Sequence, residues 1–335
     1  RDAPRSGERG ATPAHFRSSR STSTAICFLA VVLGGLLLRA QEKAATPQID
    51  PAAWGSDHVG QPVPAYEDGN TCLFCHRTSI GPSWQTNEHA TTIRSLADEA
   101  NAEQLNQKAS GAAFVFGRDA RLRFLKPTGA YGTFSLLDMS WSPTDKQWRG
   151  EQKWDAAKFG ANCAGCHASG VDSKAKTFQM PSLDCHTCHG IAVPEHTEDG
   201  TLMLLSKKGK TRAEVEISIC GSCHLRGGKS NSTGLPFPNN FVPGDNLFKD
   251  FVADLSEERI KKEGPGEAHI IRNIRDVAIL GFSDIACTTC HDIHDESTAK
   301  HAKVTKQSIC IVCHTESKPL KSVRAHERHS ATCEY

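Results

Sequence analysis

The stretch CAGCHASGVDSKAKTFQMPSLDCHTCH, residues 163–189, carries one five-residue pattern twice: two cysteines three positions apart, then a histidine directly after the second. Upstream the pattern recurs as Cys72-Leu73-Phe74-Cys75-His76. Downstream it recurs as Cys220-Gly221-Ser222-Cys223-His224, Cys287-Thr288-Thr289-Cys290-His291 and Cys310-Ile311-Val312-Cys313-His314. Composition alone would supply roughly 0.03 such matches in a chain with 14 Cys and 16 His in 335 residues. The six motifs therefore decide what kind of interior this chain builds.

C-x-x-C-H is the attachment signature of c-type haem. Two thiols three positions apart reach the two vinyl groups on one haem edge, and the adjacent His falls under the iron as its proximal ligand. Zinc sites also use C-x-x-C, but they need a second pair or an H-x-H element and no His after every pair. A disulfide scaffold leaves the histidines unexplained, and iron–sulfur ligation favours other spacings. The expectation is six covalent haem c groups. They are tethered by Cys72, Cys75, Cys163, Cys166, Cys185, Cys188, Cys220, Cys223, Cys287, Cys290, Cys310 and Cys313. The proximal ligands are His76, His167, His189, His224, His291 and His314.

Apolar residues make up 38% of the chain and aromatics 7%, thin against the about 45–50% apolar content of globular chains. A net charge of +1 does not fit disorder, and no block of like charge suggests nucleic-acid binding. Haem filling in for side chains accounts for the shortfall. The first-Cys spacings of 91, 22, 35, 67 and 23 residues crowd motifs two and three, and five and six, into van der Waals reach. The expected fold is mainly α with extensive loops, organised around the covalent multihaem array. Residues 91–110 read helical. Phe114–Phe116, Leu122–Leu125 and Gly132–Leu136 read as short strands between Gly and Pro turns, a small antiparallel β insert over about 113–150. A loop from Gly227 to Gly244 and a helix from about Pro243 to Lys262 follow.

At the N-terminus, Arg17 and Arg20 precede an apolar run of 14 residues, Ala25–Leu38, closed by Arg39-Ala40-Gln41-Glu42. The run is too short for an ordinary membrane span. It reads as an export signal or an uncleaved N-terminal anchor over 1–40, then a linker over 41–70 and a multihaem domain over 71–335. The expected location is the periplasm or the cell exterior. Membrane contact would run only through the N-terminal segment. The chain closes on Cys333-Glu334-Tyr335, so a seventh haem motif cut short at Cys333 and a free cysteine are both open.

A haem with two protein ligands is mainly an electron carrier, whereas one with a single ligand can react with small molecules. The candidate distal ligands are His58, His89, His196, His269, His294, His301 and His329. His326 lies one helical turn before His329. His186, inside the third motif, is crowded by its own haem. His89 reads as helical, and His269 opens an apolar helical pattern through Ile270, Ile271, Ile274 and Val277.

The chain resembles the multihaem c-type cytochromes related to the tetrahaem cytochrome of nitrifying bacteria, over roughly Asp57 to His329. The carrying residues are Cys72–His76 with Trp84 and His89, and Trp154 leading to Cys163–His167. They continue with Leu183-Asp184-Cys185 through His189-Gly190 with His196, Cys220–His224 followed by Leu225-Arg226-Gly227, and Cys287–His291 with His294. The resemblance implies electron transfer through stacked, mostly bis-His haems, with His89, His196, His269 and His294 as distal ligands. Larger relatives reduce nitrite or oxidise hydroxylamine, often at a Lys-ligated or open haem, and no C-x-x-C-K motif occurs here. The preferred reading is a carrier between redox proteins such as other cytochromes, a quinol-oxidising complex or a terminal reductase. The alternatives are an enzyme acting on a small nitrogen or sulfur species at one open haem, and a subunit that self-associates into a conductive filament.

Overall fold

A computed structural model describes residues 65–118, 120–190, 196, 211–281, 286–289 and 291–294. The chain begins there with α1 (Gly69–His76), capped by the Asp68 carboxylate accepting from Asn70 N–H, and α2 (Gly81–Trp84), opened by Pro82. It then turns into a sheet. β1 (Ile93–Ser95) is followed by a 3-10 turn, Leu96–Asp98, and α3 (Ala102–Lys108). β2 (Phe114–Phe116), β3 (Leu122–Pro127), β4 (Phe134–Ser142), β5 (Gln147–Arg149) and β6 (Trp154–Asp155) complete six antiparallel strands. The order is β1-β2-β3-β4-β5, with β6 pairing β4 beside β5.

A mainly α fold is thereby corrected: 36% of the described residues are helical and 18% are in strands. The sheet also reaches beyond the expected 113–150, from Ile93 to Asp155. Residues 91–110 have an apolar spacing that suits a helix, yet Ile93, Arg94 and Ser95 pair with Phe116, Val115 and Phe114. Ser95 then caps the 3-10 turn by accepting from Ala97 N–H. Strand pairing and a local cap outweigh the weak helical propensity of Thr91-Thr92-Ile93, and only Ala102–Lys108 remains α-helical.

Alternation along the strands makes two apolar faces. Ile93, Phe116, Leu125, Phe134 and Leu136 pack on Phe159, Ala164, Ala168 and Phe178, the segment that carries the second motif. Val115, Phe124, Leu137 and Met139 pack on Leu96, Leu105 and Ala109, with Trp141, Trp148 and Trp154 at the rim. Gly132 makes the β3–β4 turn at φ +67°, where a Cβ would overlap the Phe178 carbonyl.

After the sheet come α4 (Lys158–Asn162), α5 (Ala164–His167), the short β7 (Ala168–Ser169) and β8 (Met180–Pro181) pair, and α6 (Cys185–His189). α7 (Arg212–His224) starts with a capping box: the Thr211 hydroxyl accepts from Glu214 N–H and the Glu214 carboxylate accepts from Thr211 N–H. β9 (Lys229–Ser230), a 3-10 turn at Leu247–Lys249 and β10 (Phe251–Val252) follow, then α8 (Glu257–Ile260) and α9 (Pro265–Ala278). The helix expected over 243–262 is thus reduced to one turn, because Asn246 caps the 3-10 turn and Ser256 caps α8 as separate starts. α9 buries Ala268, Ile271, Ile274 and Val277 against α7 and Leu247, Phe248 and Phe251. The core is therefore side chains in three clusters, and not cofactor alone. Among the described residues no helix is long and apolar enough to cross a membrane.

Candidate haem-binding sites

Four of the motifs end a helix on their histidine: α1 at His76, α5 at His167, α6 at His189 and α7 at His224. The helical turn puts the two cysteines of a pair on one face, with the His one step further round. The fifth motif opens a 3-10 turn, Cys287–Thr289, with His291 N–H donating to Cys287 O at 3.0 Å. The nine described cysteines are thiols, with no disulfide among them. Cys290, Cys310, Cys313 and His314 lie outside the described residues, as do the distal candidates His58, His301 and His329, and also His326 and Cys333.

Three imidazole pairs come together from distant parts of the chain. His76 and His196 have ring centroids 6.5 Å apart and planes 34° apart. His89 and His224 are 6.1 Å and 79° apart, and His189 and His294 are 5.9 Å and 14° apart. Two imidazoles on opposite sides of one metal, with metal–nitrogen bonds near 2.0–2.1 Å, have centroids about 6.4 Å apart. The pairs match that separation.

Hydrogen bonding does not account for several of the motif and facing rings. Nδ1 of His89, of His167 and of His189 is buried and makes no hydrogen bond. Burial pushes the imidazolium pKa of His167, His189 and His224 down to about 4 and lowers that of His89. These four rings are therefore neutral near pH 7, the form that binds a metal. The donor set, its separation and its protonation all fit haem iron.

The other histidines differ. His167 has the Phe116 ring against it at 4.9 Å, and no second imidazole among the described residues. His186 accepts from Glu67 N–H at 3.3 Å and lies 5.1 Å from the Tyr66 ring, whose hydroxyl donates to Asp184. His269 sits on α9, with Nε2 3.0 Å from the Asn273 amide nitrogen one turn later. His89 lies in a turn beyond α2, not on a helix as its surroundings suggest.

Residues without a motif hold these rings in place. Asn87, fully buried, accepts from His89 N–H at 2.8 Å and donates to Ile293 O at 2.8 Å. One amide thus ties the His89 turn to the residue before His294. Phe116 and Gly165 shape the second motif, where a Cβ on Gly165 would overlap the Phe237 ring. Asn two positions before His is the one local hint the sequence carries. Phe116 and Phe237 read only as core.

Helices that present C-x-x-C-H motifs to facing histidines are those of a multihaem c-type cytochrome, and the motifs are the attachment sites of covalently bound haem c. The family model "Cytochrome c554 and c-prime" matches residues 134–190, and "Doubled CXXCH motif" matches residues 282–319. The multiheme cytochrome MtrA of Shewanella baltica (strain OS185) is 22% identical over 156 residues, 46% of this chain and 33% of the relative. The match thus spans a third of that curated protein's length. Among solved structures, the outer cell wall cytochrome OcwA is 20% identical with a TM-score of 0.47, over 75% of this chain and 67% of that one. The undecaheme cytochrome from the S-layer of Carboxydothermus ferrireducens is 18% identical with a TM-score of 0.40, over 77% of this chain and 44% of that one.

Proposed function

We propose that the chain is an exported cytochrome holding six haems that relays electrons between other redox proteins. The observation that carries this reading is the trio of His–His pairs at metal-spanning separation, each joining residues over a hundred positions apart in sequence. When bound by these residues, each haem would supply a one-electron Fe(III)/Fe(II) couple, with no bond made or broken in the transfer.

The chain's own residues do the rest. The twelve motif cysteines tether the groups and the six motif histidines ligate one side. His196, His294 and His89 close the other side at motifs one, three and four, leaving His58, His269, His301 and His329 for the remaining motifs. A second imidazole blocks substrate access and favours a low potential, which suits a relay. The basic flank and apolar run before residue 40 support export.

A second reading rests on His167. Among the described residues its neighbour is Phe116 and not an imidazole, and a haem open at the second motif would bind a small nitrogen or sulfur species. Haem counted by pyridine haemochrome, with low-temperature EPR and near-infrared magnetic circular dichroism, tests both readings. Six low-spin bis-imidazole haems establish the relay. One high-spin haem in six moves the reading to an enzyme, and fewer than six haems ends the count proposed here.

A further inference from the structure

Motifs from different parts of the chain meet. Helices α1 and α6 pack together, so the first motif abuts the third. Gly69, at the start of α1, lies so close to α6 that a Cβ there would stand 3.5 Å from Cys185 Sγ. The fourth motif is different, because it meets several others. Cys223 Sγ is 3.6 Å from Gly165 O in the second motif, and Cys166 Sγ is 3.9 Å from the carbonyl oxygens of Ser222 and Cys223. On its other side α7 packs against the 3-10 turn that Cys287 of the fifth motif opens. One cavity is bordered by Gly165 of the second motif, His186 and Thr187 of the third, and Ser222 and Cys223 of the fourth.

A buried carboxylate holds the fifth-motif arm. Glu216 is one helical turn before Cys220 on α7 and only 2% exposed. It accepts from Thr288 N–H at 2.9 Å and from the Thr288 hydroxyl at 2.6 Å. Arg212 Nε donates to it at 2.6 Å, and Arg212 also donates to the Thr288 hydroxyl. Thr288 is the residue directly after Cys287. A carboxylate taken out of water costs several kcal/mol unless it is fully hydrogen-bonded. Here its donors come from α7 itself and from the fifth motif, through charge-assisted bonds.

We propose that the fourth motif is the junction of a forked haem array, joined to the second, third and fifth motifs, and that Glu216 is the positioning residue that fixes the fifth-motif arm. The inference rests on the reading of the chain as a haem relay. With haem attached the motif sulfurs are thioethers, so contacts between motifs mark where haem edges converge. Electrons reaching the fourth motif then have more than one exit, unlike in a single file.

The test is an EPR-monitored redox titration of the intact holo-protein. The 79° between the His89 and His224 planes gives the fourth-motif haem a highly anisotropic low-spin line, distinct from the rhombic lines of near-parallel pairs. In the wild type that line titrates in several steps, because each neighbour's reduction shifts its midpoint. Glu216→Leu keeps the haem content and loses one step. Glu216→Gln keeps an acceptor for Thr288 N–H and retains every step, although the missing charge moves the midpoint. A Glu216→Leu titration with the wild-type number of steps overturns the junction, as does a Glu216→Gln titration that loses the same step. Should Glu216→Leu fail to retain haem, Thr288→Pro decides the matter by removing both the N–H and the hydroxyl from the other side: loss of the step supports the clamp and its retention overturns it. A wild type that lacks low-spin haem sinks the relay reading itself, an outcome separate from either of these.

Discussion

The imidazole of His189 stacks across from that of His294 at 5.9 Å, with their planes 14° from parallel. His189 ends α6 in the third motif, whereas His294 lies three residues beyond the fifth. Trp84 packs edge-on against His294 at 6.5 Å, and Asn87 anchors the preceding carbonyl. The ring that faces the third motif's histidine is therefore supplied by the segment that follows the fifth. Loss of either segment would disturb two haems together.

His294→Ala removes the second imidazole at the third motif. The expected spectrum loses one rhombic low-spin signal and gains one high-spin haem, with haem content unchanged. EPR of the oxidised variant checks this, and an unaltered low-spin spectrum would remove His294 from the ligand set.

His89→Met replaces one ligand of the perpendicular pair. His/Met ligation raises the haem potential, here by on the order of 100 mV for one haem. The anisotropic EPR line disappears and a thioether-to-iron absorption band takes its place. Potentiometry that shows all midpoints where they were would contradict the His89–His224 assignment.

Gly165→Ala places a methyl into the Phe237 ring. Overpacking of this kind costs about 1–3 kcal/mol, so the melting temperature falls and haem occupancy at the second motif falls with it. Pyridine haemochrome and thermal melting together read the effect. A variant with wild-type values in both would show that Phe237 moves aside freely.

The acid limb of stability has a stated sign. The hydrogen bond from Arg275 lowers the Glu257 pKa, and the bond from Lys158 lowers that of Asp138. A carboxylate depressed in the folded state stabilises the fold above its unfolded pKa, and that contribution is lost as pH falls through the folded value. Both pairs are at the surface, so the Glu257 contribution is on the order of 0.5 kcal/mol. Melting temperature should therefore fall below about pH 4.5, and Glu257→Gln should shallow that fall slightly while lowering stability near pH 7. Equal slopes in both proteins would show that the pair contributes nothing.

The covalent chemistry was legible because it is local. Two thiols and a histidine within five residues carry their own spacing, and no long-range contact is needed to read them. The expectation of a mainly α fold failed at Ile93-Arg94-Ser95, where pairing with Phe114–Phe116 across about twenty residues overrode local preference. The helix at α9 was readable, because Ile271, Ile274 and Val277 recur on one buried face.

The axial partners were legible only as a supply of histidines. Nothing near His196 points to His76, and nothing near His89 points to His224. The role of Glu216 had no signal at all, since a glutamate on a helix ordinarily faces water. Attachment chemistry is written in contiguous residues, and so the sequence determines it. Which imidazole faces which, and which motif abuts which, depends on contacts between segments from more than fifty to more than a hundred residues apart, and packing in three dimensions alone decides them.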